Sequence, residues 1–521
     1  MSLALAQKRQ KTESAGSALL ALTVSLMIFA LYSVYSYFQY KHFVTPSWDL
    51  GIFSQLAQAY ANGQAPIVPI KGPDFNLWGD HFHPILIFLT PFYFFFPSPA
   101  TLLYVQNALL ALSVFLFCRY AQRVVSTQAA MCFTLAYALS FGIQQAVSVQ
   151  FHEVAFALPF LVLSMGNLVM AREKSKEKVY LRRALLWSLP LVFVKEDMGM
   201  TVLMIGLVTF IRTGWLAKAK DDLFPRSANH SQRFGARIRK SGSSLLTYSV
   251  ALEAIATMLW GVVWSLMAMA VILPYFNTAG QFDYADKVNL ETALADPLQA
   301  MLTFIYPWQK TLSLLLLLLV GVILWACSPL ALITLPTLAW RFLSSTEGYW
   351  ESTWHYSLVL MPVVFLALLD TVASPPQLLA RLYRRFSFSR VTAMLGTLAL
   401  LVALTLIPFQ PLKELANSRF TSADASASDQ AKQEVVEAIP DGTIAAADLS
   451  VLTYLIPHHT VYWIGHSGEP APDYVVIDKA GSAWGANPPQ NPVDYATQRY
   501  NSPYVLDRQV GSIYIVRKLM L

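Results

Sequence analysis

The stretch AGSALLALTVSLMIFALYSVYSYFQYKHFVTPSWDLG, residues 15–51, decides the fold class. Its first part, from about Ala15 to Tyr37, is an apolar run long enough to cross about 30 Å of hydrocarbon, and a basic flank at residues 8–11 precedes it. The run is too long for the core of a signal peptide, and no small-residue cleavage site follows it. We therefore predict an uncleaved first membrane span, with residues 1–14 in the cytoplasm.

The composition indicates a membrane protein with many spans. Of the 521 residues, 55% are hydrophobic and only 13% are charged, and the mean hydropathy is +0.46. These values lie far from those of soluble globular proteins. Most lysines and arginines sit in short loops between apolar runs, where membrane topology accounts for them without a nucleic-acid partner. The three cysteines lie in or at the end of apolar runs, so the sequence predicts no disulfide framework.

Hydropathy predicts about eleven membrane spans. The run Pro84–Phe96 is not counted, because about a dozen residues cannot cross the bilayer and Pro97-Ser98-Pro99 closes the run. We predict an interfacial or re-entrant helix there. The predicted spans after the first lie near Ala100–Phe117, Ala129–Val147, Val154–Ala171, Leu181–Val194, Met198–Ile211, Leu246–Pro274, Thr311–Ala326, Pro329–Phe342, Tyr356–Ala373 and Val391–Pro408.

Positive charges orient these spans. The predicted inner loops carry basic clusters within residues 172–183, 212–240 and 381–390, whereas the outer loops of the membrane part hold isolated basic residues only. Those isolated residues are Lys41, Lys71, Lys195, Lys287, Lys310 and Arg341. Most acidic residues fall on the outer side. We therefore predict a multi-pass protein of the cytoplasmic membrane, with its N-terminus inside and its site and C-terminus outside.

The composition changes at about Pro411. A polar stretch precedes a helical pattern and several short strand-like runs with turn residues between them, which predicts a small α/β domain on the outer side. The helical pattern covers Ala431–Ile439, and the strand-like runs are Thr443–Ala447, Thr460–Ile464, Tyr474–Ile477 and Ser512–Val516. The predicted domains are thus residues 15–410 in the membrane, with a first outer loop at 38–99, and residues 411–521 outside it.

The first candidate site residue is Asp49, which directly precedes a predicted amphipathic juxtamembrane helix over Leu50–Ala61. A carboxylate at this place could accept a proton from a sugar or lipid hydroxyl, or hold a divalent cation. The alternative is a helix N-cap, a position that aspartate favours.

Two histidines follow in the same outer loop. His81 and His83 flank Phe82 and come directly after Asp80, so both could point to one face of an extended segment. Such a pair could ligate a metal or hydrogen-bond a phosphate. A capping role at the membrane interface is the alternative.

Three further motifs place polar groups at the predicted outer ends of spans. His152-Glu153 follows an unusually polar approach, and Lys195-Glu196-Asp197 interrupts an apolar stretch near its midpoint. Lys195 could bind a phosphate or form an ion pair with Glu196 or Asp197. His355-Tyr356 ends an outer loop whose other aromatic residues are typical of a membrane interface.

Together these motifs resemble a bacterial family of membrane proteins, grouped as domain of unknown function 2079. The tail is similar to that family too, at Ile439–Gly442, Pro457-His458-His459 and Pro472–Asp478. The motifs that carry the resemblance are Trp48–Gln55, Asp80–Leu86, Phe151-His152-Glu153, Lys195-Glu196-Asp197 and His355-Tyr356. The family in turn resembles the GT-C superfamily of integral-membrane glycosyltransferases, which take sugars from polyprenyl phosphates.

The resemblance transfers a role to Asp49 alone, and the other motifs supply candidate residues for the mechanism that it implies. Asp49 matches the essential acidic residue of the first outer loop in GT-C enzymes, as a general base or as a ligand of Mg²⁺ or Mn²⁺. His81 and His83 are further possible metal ligands. Lys195 and Arg341 are expected to face the leaving phosphate, with His81, His83 and His355 as hydrogen-bond donors. The remaining expected substrate-binding residues are His152, Glu153, Glu196, Asp197 and Tyr356.

The expected activity is therefore transfer of a sugar from a lipid-linked donor to an envelope glycan, lipid or protein acceptor, next to membrane lipids. Two other classes remain open. A transporter or lipid flippase would also place charges at membrane depth, although two similar halves with interrupted helices would be expected. A non-catalytic assembly protein would tolerate the loss of Asp49.

Overall fold

A computed structural model describes residues 15–44, 48–215, 233–284, 287, 295–466, 468–481, 484–485 and 487–519, and for residues 233–248, 297 and 300 only the backbone. The predicted cytoplasmic N-terminus at 1–14 lies outside the described residues. So does most of the predicted inner basic cluster at 212–240, apart from Arg212 and the backbone from residue 233.

The chain up to about residue 416 is helical almost throughout. Its α-helices are α1 (Ala15–Lys41), α2 (Trp48–Ala61), α3 (Thr90–Phe95), α4 (Pro99–Val124), α5 (Thr127–Ala138), α6 (Phe141–Ser148), α7 (Ala157–Met170), α8 (Glu177–Ser188), α9 (Met198–Arg212), α10 (Arg233–Met267), α11 (Leu273–Phe276), α12 (Pro297–Thr303), α13 (Trp308–Val320), α14 (Leu335–Leu343), α15 (Glu347–Trp350), α16 (Leu360–Ala373), α17 (Gln377–Phe386) and α18 (Phe388–Leu406). A π-helical turn, Ala268–Ile272, joins α10 to α11. Short 3-10 helices lie between others, at Pro69–Lys71, Leu77–Gly79, Pro84–Leu89, Glu153–Phe156, Leu189–Phe193, Leu324–Cys327, Pro329–Thr334, His355–Ser357, Ile407–Phe409 and Pro411–Ala416.

Six described helical segments are long and apolar enough to cross a membrane, and a pair bent by 65°, Glu347–Ser357 with Leu360–Ala373, makes a possible seventh. The six are Ala15–Lys41, Pro99–Val124, Thr127–Ser148, Glu153–Met170, Ser249–Phe276 and Phe388–Phe409. All seven coincide with predicted spans. The other predicted spans, near Leu181–Val194, Met198–Ile211, Thr311–Ala326 and Pro329–Phe342, form shorter helices, so the total of about eleven stays a prediction. Hydropathy counts apolar residues but does not see where a helix breaks, as it does at Pro190 within Leu181–Val194 and after Val320 within Thr311–Ala326.

Helices α9 and α10 approach each other closely at two glycines. A Cβ on Gly199 would overlap the carbonyl oxygen of Gly261, and a Cβ on Gly261 would overlap that of Gly199. Small residues that bring two backbones together are typical of helix contacts inside membranes. Ser265 Oγ, one turn along α10, donates to the carbonyl oxygen of Glu196 at 2.7 Å. This crossing therefore fixes the backbone that carries Glu196.

We expect Gly261→Leu to destabilise the protein by about 1–3 kcal/mol, because a backbone must move to make room. The free energy of unfolding in detergent, measured by denaturant titration, checks this result. Ala256→Leu, at an exposed position of the same helix, is the matched control. If both variants were equally stable, the glycine contact would not hold the two helices.

A buried carboxylate joins several helices at the end of the bundle that we predict to face the cytoplasm. Asp370 of α16 is fully buried and accepts from Arg212 Nη2 at 2.7 Å and from Arg172 Nε at 3.0 Å. Ser328 Oγ donates to its other oxygen at 2.5 Å. Because Arg172 follows α7 and Arg212 ends α9, the cluster holds three helices together. Asp370 is not among the predicted site residues.

The C-terminal part contains a five-stranded sheet in the order β2-β1-β3-β5-β4. Strands β1, β2 and β3 are parallel, whereas β5 pairs antiparallel with β3 and with β4. The strands are β1 (Ile444–Ala447), β2 (Thr460–Trp463), β3 (Tyr474–Asp478), β4 (Tyr504–Val510) and β5 (Ile513–Lys518), and the helices are α19 (Ala427–Ala438), α20 (Leu452–Leu455) and α21 (Pro492–Tyr500). The predicted small α/β unit is confirmed, with one strand more than predicted. Strand β4 escaped prediction because most of its residues are exposed and form no apolar run.

This C-terminal unit lies against α2. Gln55 Nε2 donates to Val461 O at 2.7 Å, and Gln55 Oε1 accepts from the backbone of Ile70 at 2.9 Å. Trp48 packs edge-on against Trp463, with ring centroids 4.8 Å apart. Helix α2 also packs against residues 69–95 of the first loop and against α4, so most of its residues are buried. The predicted amphipathic helix therefore has no broad solvent face, because the tail, the rest of the first loop and α4 cover it together.

Candidate functional site

A cavity of about 710 Å³ collects residues from all the predicted motifs. Its lining is part polar and part apolar. The polar lining residues are Asp49, His81, His152, Glu153, Lys195, Glu196, Asp197, Tyr284, Lys287, Tyr349, His355 and Tyr356. The apolar ones are Phe53, Met200, Leu203, Met269, Phe282, Pro336, Ala339, Trp340 and Leu343. Of the predicted site residues, only His83 and Arg341 do not line it.

Several of the motifs that line the cavity lie at the beginnings of helices. Asp49 lies in the first turn of α2, and Asp197 directly precedes α9. Glu153 and His355 each open a 3-10 helix that leads into α7 or α16. Acidic side chains favour these positions because the backbone N–H groups there are unpaired and carry partial positive charge. Asp49 follows the first residue of its helix, so it is not the N-cap.

Asp49 contacts a histidine pair. Its Oδ2 lies 3.3 Å from His152 Nε2, and its side chain is 41% exposed whereas that of His152 is 4% exposed. His152 Nδ1 faces the carbonyl oxygen of Gln150 at 3.4 Å, and its ring stacks on His355 with centroids 3.5 Å apart. A neutral imidazole can donate to only one of its two acceptors. Asp49 and His152 therefore form a pair able to pass a proton between them.

Lys195 forms an ion pair, but not with the neighbours considered from the sequence. Its Nζ lies 2.7 Å from Glu153 Oε1. Burial would lower the pKa of Lys195, but the nearby carboxylates of Glu153, Glu196 and Asp197 raise it well above its usual value. The lysine is therefore charged in the cavity, with part of its charge balanced by Glu153.

Glu196 binds the segment that carries His81. Its Oε1 lies 2.8 Å from His81 Nδ1, and its Oε2 accepts from the backbone N–H of Phe82 at 3.1 Å. Burial would raise the pKa of Glu196, but His81 and Lys195 lower it on balance. Burial raises the pKa of Asp197 to about 6 despite Lys195, and its Oδ1 has no hydrogen-bond partner among the described residues.

Arg341 does not reach the cavity. Its guanidinium is fully buried and donates to the carbonyl oxygens of Tyr349, Glu351 and Tyr356 at 2.7, 3.2 and 3.3 Å. These contacts fix the loop before His355. Arg341 thus acts on the site through the loop that it holds, in contrast to its expected contact with a phosphate.

Two residues that the sequence analysis did not select line the cavity beside His81. Tyr284 stacks on His81 with ring centroids 4.5 Å apart and donates from its hydroxyl to Asp80 at 3.1 Å. Lys287 Nζ lies 4.1 Å from the centre of the Tyr284 ring. In the sequence Lys287 is one of six isolated basic residues of the predicted outer loops, and no local pattern separates it from the other five.

The possible metal ligands do not form a ligand set. Among the described residues, no three histidine, cysteine, aspartate or glutamate side chains are grouped so as to hold a metal ion. Asp49 is directed to His152, and His81 to Glu196. Mg²⁺ or Mn²⁺ binding therefore stays a prediction.

His83 makes the stability of this region sensitive to acid. Burial lowers the pKa of His83 to about 4, although Glu153, Glu196 and Asp80 oppose the shift and His81 adds to it. A histidine whose pKa is lower in the folded state contributes full stability above the unfolded pKa of about 6.5 and loses it as the pH falls. Between pH 7 and pH 5 we expect protonation of His83 in the unfolded state to lower the free energy of unfolding by about 2 kcal/mol.

Unfolding free energies of the wild type and of His83→Gln at the two pH values measure this contribution. The variant should lose less stability on acidification, because glutamine does not titrate. His458→Gln, at an exposed histidine of the C-terminal unit, is the control and should behave as the wild type. Equal losses in all three proteins would contradict the assignment to His83.

Comparison with known proteins places the chain in one family. A family model described as predicted membrane protein (DUF2079) matches residues 39–509. None of the curated proteins matches the chain.

Solved structures give weaker likenesses. ArnT from Cupriavidus metallidurans bound to undecaprenyl phosphate has a TM-score of 0.46 and 11% identity, over 96% of this chain and 98% of that one. The apo form of the same protein has a TM-score of 0.44 and 13% identity, over 97% of this chain and 98% of that one. The archaeal oligosaccharyltransferase AglB from Archaeoglobus fulgidus, in complex with an inhibitory peptide and a dolichol-phosphate, gives 0.39 and 12%, over 87% of this chain and 69% of that one.

Proposed function

The chain belongs to the DUF2079 family of membrane proteins, and we propose that it is a glycosyltransferase that moves a sugar from a polyprenyl-phosphate donor to an acceptor on the outer face of the membrane. One observation carries the proposal. The partly exposed carboxylate of Asp49 pairs with the buried imidazole of His152 and lines the cavity. The lining of this cavity combines charged side chains with apolar helix faces. Such a lining suits a ligand with a polar head and an apolar tail.

The reaction is a single displacement. The acceptor oxygen forms a bond to the anomeric carbon, the bond from that carbon to the phosphate oxygen breaks, and the phosphate leaves with the electron pair. Asp49 takes the proton of the acceptor hydroxyl, and His152 at 3.3 Å can share it. The reaction therefore balances with the sugar donor and the acceptor as its only reactants.

The leaving phosphate needs a cation, and two lysines lie in the cavity. Lys195 uses one contact for Glu153, which leaves N–H donors for a second anion. Lys287 has a cation–π contact with Tyr284 and, within the described part of the chain, no ion pair. We therefore assign the phosphate to Lys195 and Lys287, since Arg341 is directed to backbone oxygens.

The apolar lining suits the donor's tail. Pro336, Ala339, Trp340 and Leu343 recur at the spacing of one helix face on α14. A polyprenyl chain gains about 0.8 kcal/mol for each CH₂ kept out of water. A donor with such a tail remains in the bilayer, so the transferase must meet it there.

The test uses the full-length protein in proteoliposomes with undecaprenyl phosphate carrying radiolabelled glucose, galactose, mannose or arabinose. Added envelope extract supplies the acceptor. We expect one donor to lose its label with release of undecaprenyl phosphate, at a rate proportional to the amount of protein. If no donor were consumed, the proposal would be wrong. Solute uptake or lipid flipping by the same vesicles would then favour a transporter, and the absence of all three activities would favour an assembly protein.

A further inference from the structure

A second, smaller cavity lies behind Asp49. It measures about 80 Å³, against about 710 Å³ for the main cavity. Asp49, Phe53, His81 and Tyr284 line both cavities, so the two adjoin at the carboxylate. We call the smaller one the rear chamber. Its other lining residues are Trp48, Ile52, Lys71, Leu77, Asp80 and His83.

The polar groups of the rear chamber differ in what they contact. Lys71 Nζ pairs with Asp80 Oδ2 at 3.2 Å, and Tyr284 donates to Asp80 Oδ1 at 3.1 Å. His83 is fully buried, and neither of its ring nitrogens has a hydrogen-bond partner among the described residues. A buried imidazole without partners costs free energy, so it indicates a polar ligand at this place.

The dimensions limit that ligand. The rear chamber can hold a few atoms of the size of water, but the main cavity is the one that can enclose a sugar ring. A neutral imidazole offers one donor and one acceptor, which matches a hydroxyl group. A narrow arm that ends in a hydroxyl therefore fits this space, with its oxygen between His83 and Asp49.

We propose that the rear chamber receives the nucleophilic arm of the acceptor, and that this arm is a primary alcohol on an unbranched carbon. The proposal rests on the glycosyltransferase function proposed above and specifies its acceptor class. His83 hydrogen-bonds the hydroxyl, and Asp49 takes its proton as the oxygen bonds to the anomeric carbon and the phosphate leaves. A secondary ring hydroxyl is excluded, because its two carbon neighbours would have to enter the chamber.

The first experiment asks whether small molecules enter the rear chamber, and it needs no donor. His83→Cys is made together with Cys132→Ser and Cys327→Ser, which leaves Cys118, fully buried in the bundle, as an internal control. We expect methyl methanethiosulfonate to modify the cysteine at position 83 at least tenfold faster than Cys118. Equal rates would overturn the proposal and would leave the glycosyltransferase function standing.

The second experiment asks what the rear chamber selects. Proteoliposomes with the undecaprenyl-phosphate sugar identified above receive ethanol, 2-propanol or tert-butanol at equal concentration, and the radiolabelled alkyl glycosides are counted. We expect the wild type to make at least tenfold more ethyl than 2-propyl glycoside. Ile52→Ala, which widens the chamber one turn after Asp49, should bring the two products to within threefold.

Leu56→Ala is the matched control, because Leu56 is buried on the same helix but lines neither cavity. Its product ratio should equal that of the wild type. Equal ethyl and tert-butyl products in the wild type, or the same ratio in Ile52→Ala and Leu56→Ala, would overturn the proposal alone. If the protein consumed none of the sugar donors, the proposed function and this proposal would both be wrong.

Discussion

Asp49→Asn lowers the rate of sugar transfer by about 10²- to 10⁴-fold, the contribution of a positioned general base. Asparagine keeps the shape of the side chain and can still hydrogen-bond His152, but it cannot take a proton from the acceptor. The rate of undecaprenyl-phosphate release in proteoliposomes, with the donor that the wild type uses, measures the loss. The effect should appear in kcat, because the base acts in the transition state.

Asp74→Asn is the control for this substitution. Asp74 lies in the same loop, is exposed, and has a positive φ of 53° that asparagine tolerates. We expect its rate to match that of the wild type. A rate for Asp49→Asn within threefold of the wild type, in protein that elutes as a single folded species, would remove Asp49 from the mechanism.

Asp370→Asn destabilises the protein by about 3–5 kcal/mol, the cost of removing one partner from a buried ion pair. The carboxylate is fully buried, and it compensates the charge of Arg172 and Arg212 at 2.7 Å each. Without it two guanidinium groups lie side by side with no counter-charge among their described contacts. Denaturant titration of the purified protein in detergent measures the loss.

The exposed pair Arg182–Glu253 supplies the comparison. Its side chains are 46% and 40% exposed, and surface pairs contribute at most about 1 kcal/mol. Glu253→Gln should therefore leave the unfolding midpoint close to that of the wild type. If Asp370→Asn changed stability no more than Glu253→Gln does, the cluster would not hold the ends of α7, α9 and α16 together.

Much of the candidate site could be predicted, because its residues are charged or polar and lie directly beside apolar runs. Charged and imidazole groups beside apolar runs cost free energy, so Asp49, His152, Lys195 and His355 stand out in the sequence. Their convergence follows from topology, since a motif at the same end of each span comes to the same side. The structure brings these four residues into one cavity.

The partners of these residues could not be predicted. Lys195 has two acidic neighbours in sequence but pairs with Glu153, and the choice depends on how α7 and α9 pack. Arg341 looks like a free outer-loop charge until the loop that follows it folds back and supplies its acceptors. Asp370 could have been predicted, because a lone carboxylate in an apolar helix costs free energy unless it has a partner.

The tail that packs against α2 is translated long after that helix. Gln55 and its acceptor Val461 are 406 residues apart. At the usual elongation rate of about 5–20 residues per second, the nascent helix that carries Asp49 waits about 20 to 80 s for this contact. The contact between the tail and the helix that carries Asp49 therefore forms only after the strands of the C-terminal unit are translated, and a message truncated before them yields a bundle in which this helix lacks that contact.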